Sequence, residues 1–379
     1  MLKPVESSAQ RATRKALAEL PRQVPDPTRI AVLLNKNARR VSDGIAKRAE
    51  RIVGGDHFFY SHNLEEAEAF SREIVQRGYG TVVCGGGDGT LCRAINLIQR
   101  YIDESNAWRA ERYARYGEVQ TLLAAPRFAI LRLGTGNGMT GVVGAKDALK
   151  DLKRVVDYAP GRTHTIDLIE HDGDKFFFGG MGYDSLILND YNALKERTHN
   201  RLFKPFMHTV GGYFAALFAR TLPRAIFHNR STKIEGRVVN QGKAYYVDPR
   251  RGDAVEEIEP GTTLFEGLAT IITASTSPYF GYGFKMFPFA NMMPGMMQLR
   301  VGTIGPFSAL ANLGSIWRGH YRNPSKVMDF LVEDVRIELE RPFPFQHSGD
   351  AQGLRREVEM RISDEPLRLV DYYPPRPTF

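Results

Sequence analysis

The stretch VVCGGGDGT, from Val82 to Thr90, decides the fold. Its apolar half indicates a buried strand, and three glycines then lead into helix-like sequence that runs through Ile98. Glycines let a polyphosphate approach the backbone, and the free amides and dipole of a helix N-terminus favour negative charge. No lysine follows the glycines, so this is not a Walker loop. The stretch predicts a phosphate-binding loop, and a plain turn capped by Asp88 is the alternative.

A second glycine turn, LGTGNG (Leu133–Gly138), follows the apolar strand FAILRL. The carboxyl ends of parallel strands meet at one edge of a sheet, where open α/β sheets bind their ligands. We therefore expect the two turns to lie side by side. Taken alone, the second turn is equally consistent with a tight loop in which Asn137 is left-handed.

Short apolar strands alternate with helical segments around both turns, which predicts a parallel α/β sheet. Residues 100–126, between the turns, are longer than an ordinary connection, and we interpret them as an insertion with its own helix. The other expected elements are a strand at 29–35, a helix at 42–53, a strand at 57–61, a helix at 64–77 capped by Asn63, and a helix at 146–158.

Beyond Pro160 the sequence changes to strand-like runs such as KFFFGG and TLFEGLATIITAS. Residues 195–230 interrupt them with seven basic residues and one acid among apolar ones, which indicates an exposed amphipathic helical element. The predicted fold class is α/β plus β. We expect a basic leader (1–28), a nucleotide-binding α/β domain (29–160) and a β-rich sandwich domain (161–379). The chain allows the last strands of the third segment to return to the cleft between the two domains.

Composition excludes several classes of protein. The chain has 379 residues and a net charge of +8, too small an excess to require a nucleic acid partner. Its two cysteines, Cys84 and Cys92, support neither a disulfide framework nor a four-ligand zinc site, and we expect both to be buried. Neither a signal peptide nor an apolar run of membrane-spanning length is evident, so we expect a cytoplasmic protein that associates with membranes peripherally.

These motifs together resemble the diacylglycerol kinase catalytic-domain superfamily, which includes bacterial lipid kinases, sphingosine kinases and ceramide kinases. GGDGT (86–90) is the hallmark of that family, GTGN (134–137) matches its second nucleotide loop, and NKNAR (35–39) follows the first strand as it does there. GMGYDS (180–185) resembles the turn that opens the β domain, and GYGFKMFPFA (281–290) resembles a lipid-facing hairpin. The resemblance covers about residues 27–370 and implies a lipid cleft between a nucleotide domain like that of NAD kinase and diacylglycerol kinase and a β-rich domain.

The resemblance also implies roles for particular residues. Asp88 matches the catalytic base of sphingosine and ceramide kinases, and Asp184 matches an acid that recognises the lipid head group in the sphingosine kinases. Asp350, retained from the family's Asp-Gly-Glu motif, is expected to hold Mg²⁺ or to orient Asp88. The implied ATP contacts are Asn35, Gly86, Gly87, Gly89, Thr90, Gly134, Thr135 and Asn137.

The chain departs from the family's pattern in three places. Gly138 stands where many bacterial members have an Asp, and Ala351 and Gln352 replace the Gly and the Glu of the Asp-Gly-Glu motif, of which the Glu is their proposed proton acceptor. Pro294 replaces the Asp of a turn that supports a structural metal in some members, so we expect no metal there. Because a Gln side chain cannot take a proton, we favour Asp88 as the base.

The sequence therefore predicts an ATP-dependent lipid kinase that phosphorylates the hydroxyl of a sphingoid base, ceramide or diacylglycerol. An NAD kinase-like enzyme shares GGDGT but has an Asn-Glu pair and a Gly-Ser-Thr-Ala-Tyr stretch that we do not find. A catalytically impaired nucleotide- or lipid-binding protein is the other alternative, suggested by the three departures. The expected partners are a lipid substrate and an anionic membrane surface, without nucleic acid. The sequence does not determine the lipid, the donor nucleotide or the oligomeric state.

Overall fold

The computed structural model describes residues 8–159, 161–183, 185–190, 232–281 and 283–373. A mostly parallel sheet with helices forms the first half, and a large antiparallel sheet forms most of the second. Both parts of the predicted fold class are therefore confirmed. The basic segment 195–230 and Asp184 lie outside the described residues, and the predictions made for them stay predictions.

The first sheet has six strands in the order β2-β1-β3-β4-β18-β5. All neighbours are parallel except the last pair, β18 and β5. Every residue of β3 is buried, as expected for a parallel strand covered by helices on both faces. The strands are β1 (Ile30–Asn35), β2 (Phe58–Ser61), β3 (Thr81–Gly86), β4 (Arg127–Arg132), β5 (Thr163–Ile166) and β18 (Leu367–Val370).

Several helices begin at a residue whose side chain caps them. The side chain of Asn63 accepts a hydrogen bond from the Glu66 amide, so the predicted cap is confirmed. Asp147 caps the helix Ala148–Asp157 in the same way. The helices are α1 (Ser8–Glu19), α2 (Asp43–Val53), α3 (Leu64–Gln76), α4 (Asp88–Tyr116), α5 (Gly138–Val143), α6 (Ala148–Asp157), α7 (Pro306–Ala311) and α8 (Leu313–Trp317).

Helix α4 corrects one prediction. It runs unbroken from Asp88 to Tyr116, so residues 100–126 are not an insertion with a separate helix. No glycine or proline interrupts residues 99–116, and the helix ends only at Gly117, which adopts a positive φ of 70°. The N-terminal leader is also part of the fold, because α1 packs against α4 and buries Ala16.

The second sheet has twelve strands, all antiparallel to their neighbours, and it branches at β16. Residues 335–339 of β16 pair with β9, whereas residues 345–347 pair with β8. The strands are β6 (Ile169–His171), β7 (Asp174–Phe176), β8 (Phe178–Gly182), β9 (Ile234–Asn240), β10 (Ala244–Asp248), β11 (Asp253–Ile258), β12 (Thr263–Ala269), β13 (Ile271–Ser275), β14 (Met297–Gly302), β15 (Val327–Val332), β16 (Asp334–His347) and β17 (Asp350–Ile362).

The two sheets do not divide at one point of the chain. Strands β5 and β18 come after residue 160 but belong to the first sheet. One continuous apolar core includes residues of both sheets. Cys84 and Cys92 are free and buried, as predicted. Within the described ranges, no helix is both long enough and apolar enough to cross a lipid bilayer.

Candidate active site

The two glycine turns lie side by side and touch through their backbones. Strands β3 and β4 pair in parallel up to Gly86 and Arg132, which brings both turns to the same sheet edge. A Cβ atom on Gly134 would lie far inside van der Waals contact with the backbone of Gly87. Glycine is therefore required at position 134 because of backbone proximity, not because of an unusual φ.

The first turn presents the N-terminus of α4. Gly87 is the N-cap and offers no side chain, so the amides of the first helical turn depend on another acceptor. None of the residues that the structure describes accepts a hydrogen bond from the amides of Asp88, Gly89 or Thr90. Gly87, Gly89 and Thr90 are each partly exposed. This end of α4 can therefore donate several hydrogen bonds to an anion.

Asn35 joins this turn from the end of β1. Its side-chain amide donates to the Thr90 hydroxyl over 3.3 Å, and its side-chain oxygen accepts from the Asn37 amide at 2.9 Å. A Cβ on Gly86 would overlap the Thr90 side chain. The structure thus brings together three of the residues expected to contact ATP: Asn35, Gly86 and Thr90.

The second turn is held in shape by Asn137. This residue adopts a left-handed conformation with φ of 51°, which agrees with the tight-loop interpretation. Its side-chain nitrogen donates to the Gly134 carbonyl at 2.7 Å, and its side-chain oxygen accepts from the Gly134 amide at 3.1 Å. The Asn137 side chain is therefore engaged within the loop, whereas Thr135 is half-buried and makes no hydrogen bond to a described residue through its hydroxyl.

Asp88 connects the two turns. Its buried carboxylate accepts the amide hydrogens of Gly138, at 2.6 Å, and Met139, at 2.9 Å, which are the first amides of α5. Helix α5 has no capping side chain of its own, because Asn137 makes no side-chain cap bond. Asp88 therefore caps α5 and not its own helix, contrary to the alternative stated from the sequence. Burial raises the pKa of Asp88, and the two amide bonds oppose that rise.

Asp350 reaches the same place from the second sheet. Ser348 and Gly349, with φ of 47° and 85°, form a two-residue turn between β16 and β17. This turn lies over α4: a Cβ on Gly89 would stand 3.6 Å from an oxygen of Asp350. Asp350 is half-exposed and forms an ion pair with Arg93, one turn farther along α4, at 3.3 Å.

The Ser348 hydroxyl anchors this hairpin tip. It lies 3.1 Å from the buried Cys92 Sγ of α4, which donates to it, and it accepts from the Phe177 amide at 3.4 Å. The Ser348 amide donates to the Phe178 carbonyl at 2.8 Å. Asp350 is therefore held in position by a turn that is bonded to both halves of the molecule.

A loop of the second sheet closes the other side of the second turn. Gly281 lies against Gly136, and the Tyr279 carbonyl lies 3.2 Å from the position of a Cβ on Gly138. Behind this contact, aromatic rings follow one another: Phe280 packs against Phe284 with centroids 6.1 Å apart, and Phe284 stacks on Trp317 at 5.1 Å. An apolar surface therefore adjoins the glycine turns.

The carboxylates at this site can hold a metal ion only together with a bound ligand that also coordinates the metal. No group of three or more His, Cys, Asp or Glu side chains suited to a metal ion occurs within the described part of the chain. Mg²⁺ is commonly bound through one or two carboxylates together with substrate phosphates. Asp350, which is half-exposed at the end of α4, fits such a role. Both oxygens of Asp88 already accept amide hydrogens, so Asp88 fits it poorly.

Sequence reasoning missed three contributors to this arrangement: Arg93, Tyr279 and the amide of Met139. No signal for the last was available in the sequence. Asn137 stands at the N-cap of α5 and is a residue type that often caps helices, and only the structure shows that its side chain bonds to Gly134 instead. Nothing in the sequence pointed to Arg93 or Tyr279, because their partners come from the other sheet.

Comparisons with known proteins agree with the motifs. Residues 29–171 match the family model of the diacylglycerol kinase catalytic domain. No match was found among curated proteins. Three solved structures from Bacillus anthracis str. Sterne share the fold, two described as candidate diacylglycerol kinases and one as a diacylglycerol kinase.

The similarity to these structures extends over both sheets at low sequence identity. Their TM-scores are 0.59, 0.58 and 0.54, with identities of 15%, 13% and 12%. Each alignment covers 91% of this chain and 97% of the other. The family resemblance inferred from the motifs is therefore confirmed: residues 29–171 match the family model of the diacylglycerol kinase catalytic domain, and the chain shares the fold of these structures.

Proposed function

We propose that the protein is an ATP-dependent lipid kinase that transfers the γ-phosphate to a lipid hydroxyl. The observation that carries the proposal is the open N-terminus of α4, with the second glycine turn packed against it and the Asp350 hairpin above it. Phosphoryl transfer depends mainly on positioning and charge stabilisation, and these are what such an arrangement offers.

The nucleotide phosphates would bind at the first turn of α4. The amides of Gly89 and Thr90 would donate to phosphate oxygens, and Asn35 would keep the Thr90 hydroxyl oriented. The exposed side chains of Arg39 and Arg40 add positive charge beside the second turn, since the Arg40 amide bonds to the Leu133 carbonyl at 3.0 Å. Polyphosphate is the ligand that this combination suits best.

Asp88 is our proposed base. It stands on a rigid strand-to-helix turn, and one of its oxygens lies 3.7 Å from the Cβ position of Gly136, where the second turn meets Gly281. Burial raises its pKa, which makes the carboxylate a better proton acceptor. Asp350 would hold Mg²⁺, which, when bound, neutralises charge on the phosphates. Arg93 would keep Asp350 oriented.

The acceptor would lie against the aromatic surface behind Gly281. Apolar faces are offered there by Phe280, Phe284 and Trp317. They adjoin the second glycine turn, which leads into the helix that Asp88 caps. An acyl or sphingoid chain packed there would bring its hydroxyl towards Asp88. Sphingoid bases, ceramide and diacylglycerol all have such a chain and a hydroxyl group.

Transfer of labelled phosphate from ATP to sphingosine, ceramide or diacylglycerol tests this proposal. The wild-type chain should label at least one of these lipids, whereas Asp88→Asn and Asp350→Asn should label it poorly. Asp253→Asn, a matched change at an exposed position of β11, should behave as wild type. Formation of NADP from NAD would instead favour the NAD kinase-like alternative. Nucleotide binding without any transfer would favour the non-catalytic one.

A further inference from the structure

The sequence between Glu266 and Asp329 contains no Asp or Glu. It contains five basic residues, of which Arg300 is buried and paired with Asp329 at 2.8 Å. The other four, Lys285, Arg318, Arg322 and Lys326, are exposed, and none forms an ion pair with a residue that the structure describes. This part of the second half therefore presents four exposed basic side chains without an ion-pair partner among the described residues.

Exposed apolar side chains occur in the same stretch of sequence, and the Thr303 amide, which precedes α7, donates to the Lys326 carbonyl at 2.8 Å. Helices α7 and α8 bury none of their residues. Phe307 and Leu310 lie three positions apart, hence on one face of α7, and they are 66% and 40% exposed. Large apolar side chains grouped this way on a helix without a described partner mark an interaction surface. We call Phe307, Leu310, Lys285, Arg318, Arg322 and Lys326 the apolar–basic patch.

The apolar–basic patch is linked to the candidate active site by direct contacts. Trp317, at the end of α8, stacks on Phe284, and Lys285 lies over the Tyr279 ring at 5.5 Å. The same Tyr279 ring would touch a Cβ on Gly141, in the helix that Asp88 caps, at 3.5 Å. Whatever binds the patch therefore lies close to the second glycine turn.

We propose that the apolar–basic patch docks onto an anionic lipid bilayer. Phe307 and Leu310 would enter the headgroup region while the four basic side chains contact anionic headgroups. A bilayer is favoured over an acidic protein because the aromatic surface proposed to receive a lipid chain adjoins this stretch, through the stacking of Trp317 on Phe284. As a way to deliver substrate, the docking rests on the proposed function, because it places the aromatic surface beside the lipid source.

Co-sedimentation of the full chain with vesicles tests the proposal. The wild type should bind vesicles of phosphatidylcholine with phosphatidylserine much better than vesicles of phosphatidylcholine alone. Charge reversal in Arg318→Glu with Lys326→Glu should lower that binding at least about tenfold, because each basic residue near the surface contributes to it. Phe307→Ser with Leu310→Ser should lower it about tenfold through lost apolar burial.

Matched controls separate the patch from general effects of charge and apolar surface. Lys47→Glu with Arg51→Glu makes the same charge change on exposed positions of α2, and Leu64→Ser with Val119→Ser makes the same apolar change. Both pairs should bind vesicles as wild type does. Patch variants that bind as well as these controls would overturn the proposal and would favour coverage of the patch by another segment or a second copy.

Phosphorylation of detergent-dispersed lipid distinguishes this proposal from the proposed function. The patch variants should keep wild-type activity in detergent and lose it only on anionic vesicles. A wild type that binds anionic vesicles through the patch but phosphorylates no lipid in detergent would refute the proposed function and leave the docking surface supported. Equal activity of patch variants and wild type on vesicles would count against docking.

Discussion

The two glycine turns look alike in sequence and differ in what they leave open. GGGDGT starts a helix of 29 residues whose first amides have no acceptor among the described residues. GTGNG starts a helix of six residues whose first amides are already bound to Asp88. An anion can therefore bind at α4 but not at α5.

This difference assigns distinct tasks to the two turns. The first supplies hydrogen-bond donors, and the second supplies shape through Asn137 and its backbone contact with Gly87. Asp88 connects the two turns, because it belongs to the first turn and caps the helix that follows the second. Variants of the two turns should therefore fail in different ways.

The largest effect is expected from Gly134→Ala. The added Cβ would overlap the backbone of Gly87, so the turns must separate and ATP binding should fall below detection by calorimetry. Gly87→Ala places its Cβ 3.3 Å from the Gly134 Cα, which a small shift relieves, so it should weaken binding far less. Gly44→Ala, at an exposed position of α2, controls for the substitution.

Thermal unfolding of the three variants completes this comparison. Gly134→Ala should remain folded, because the collision is confined to one edge of the sheet. Equal ATP affinities for Gly134→Ala and Gly87→Ala would contradict the idea that backbone contact between the turns shapes the site.

The next effect is expected from Asp88→Asn. Loss of a general base typically lowers turnover about 10²–10⁴-fold, so kcat should fall by that factor. In the wild type, kcat should fall as the pH is lowered through the raised pKa of Asp88, since a base must be deprotonated. Asp350→Asn should retain this acidic limb. Loss of the limb in Asp350→Asn, with its retention in Asp88→Asn, would reverse the two roles.

The titration of Asp88 should also make the free energy of unfolding depend on pH, in a direction that its pKa shift determines. Its pKa in the folded protein is raised above the ordinary value of 3.8, so the folded state binds the proton more tightly than the unfolded state. The corresponding stabilisation is present at low pH and is lost as the pH rises through the folded pKa. The free energy of unfolding of the wild type, relative to that of Asp88→Asn, should therefore decrease as the pH rises from 3.8 to the pKa of Asp88 in the folded protein. Urea titrations measure this difference. A constant difference would contradict the burial of a titrating carboxyl.

A smaller effect is expected from Asp350→Asn. The side chain is half-exposed and its loss leaves both turns intact, so ATP affinity without metal should not change. The Mg²⁺ concentration needed for half-maximal activity should rise about tenfold, as expected for loss of one carboxylate ligand. Arg93→Ala frees Asp350 from its ion pair and should change the half-maximal Mg²⁺ concentration less than Asp350→Asn does. An unchanged Mg²⁺ dependence in Asp350→Asn would exclude it as a ligand.

The smallest effect is expected from Thr90→Val. This change removes the hydroxyl that accepts from Asn35, and a net hydrogen bond contributes about 0.5–1.5 kcal/mol. ATP affinity should therefore decrease about twofold to tenfold in the same calorimetric assay. Thr90→Ser keeps the hydroxyl and should restore the affinity. Failure of Ser to rescue would indicate that the methyl group matters, since it packs where a Cβ on Gly86 would lie.

Much of the fold was predictable because its signals are local. The apolar strands and the Asn63 cap depend on neighbours within a few residues, and both predictions are confirmed. The length of α4 was mispredicted because residues 100–126 are longer than an ordinary connection and were interpreted as an insertion, although no helix breaker occurs before Gly117. The absence of breakers was the better signal.

The residues of the candidate site were predictable only where their role is evident from the sequence of a single turn. Both glycine turns were found, but the partners of Asp88 and Asp350 were not, since Arg93 lies 257 positions from Asp350 in the chain. The pair of Arg93 with Asp350 depends on how the two sheets meet, whereas the partners of Asp88 depend on how β3 and β4 lie side by side, and no local pattern encodes either. The alternative stated from the sequence, in which Asp88 caps its own helix, is wrong, since Asp88 caps α5.

The late strand β18 has a consequence for how the molecule must fold. It lies between β4 and β5 in the first sheet, yet its residues are synthesised more than 200 positions after those of β4. Loop closure over such a separation is slow, so β4 remains an unprotected edge until nearly the whole chain is available. A fragment limited to residues 29–171 would contain both glycine turns but keep that edge open, and it should aggregate instead of binding nucleotide.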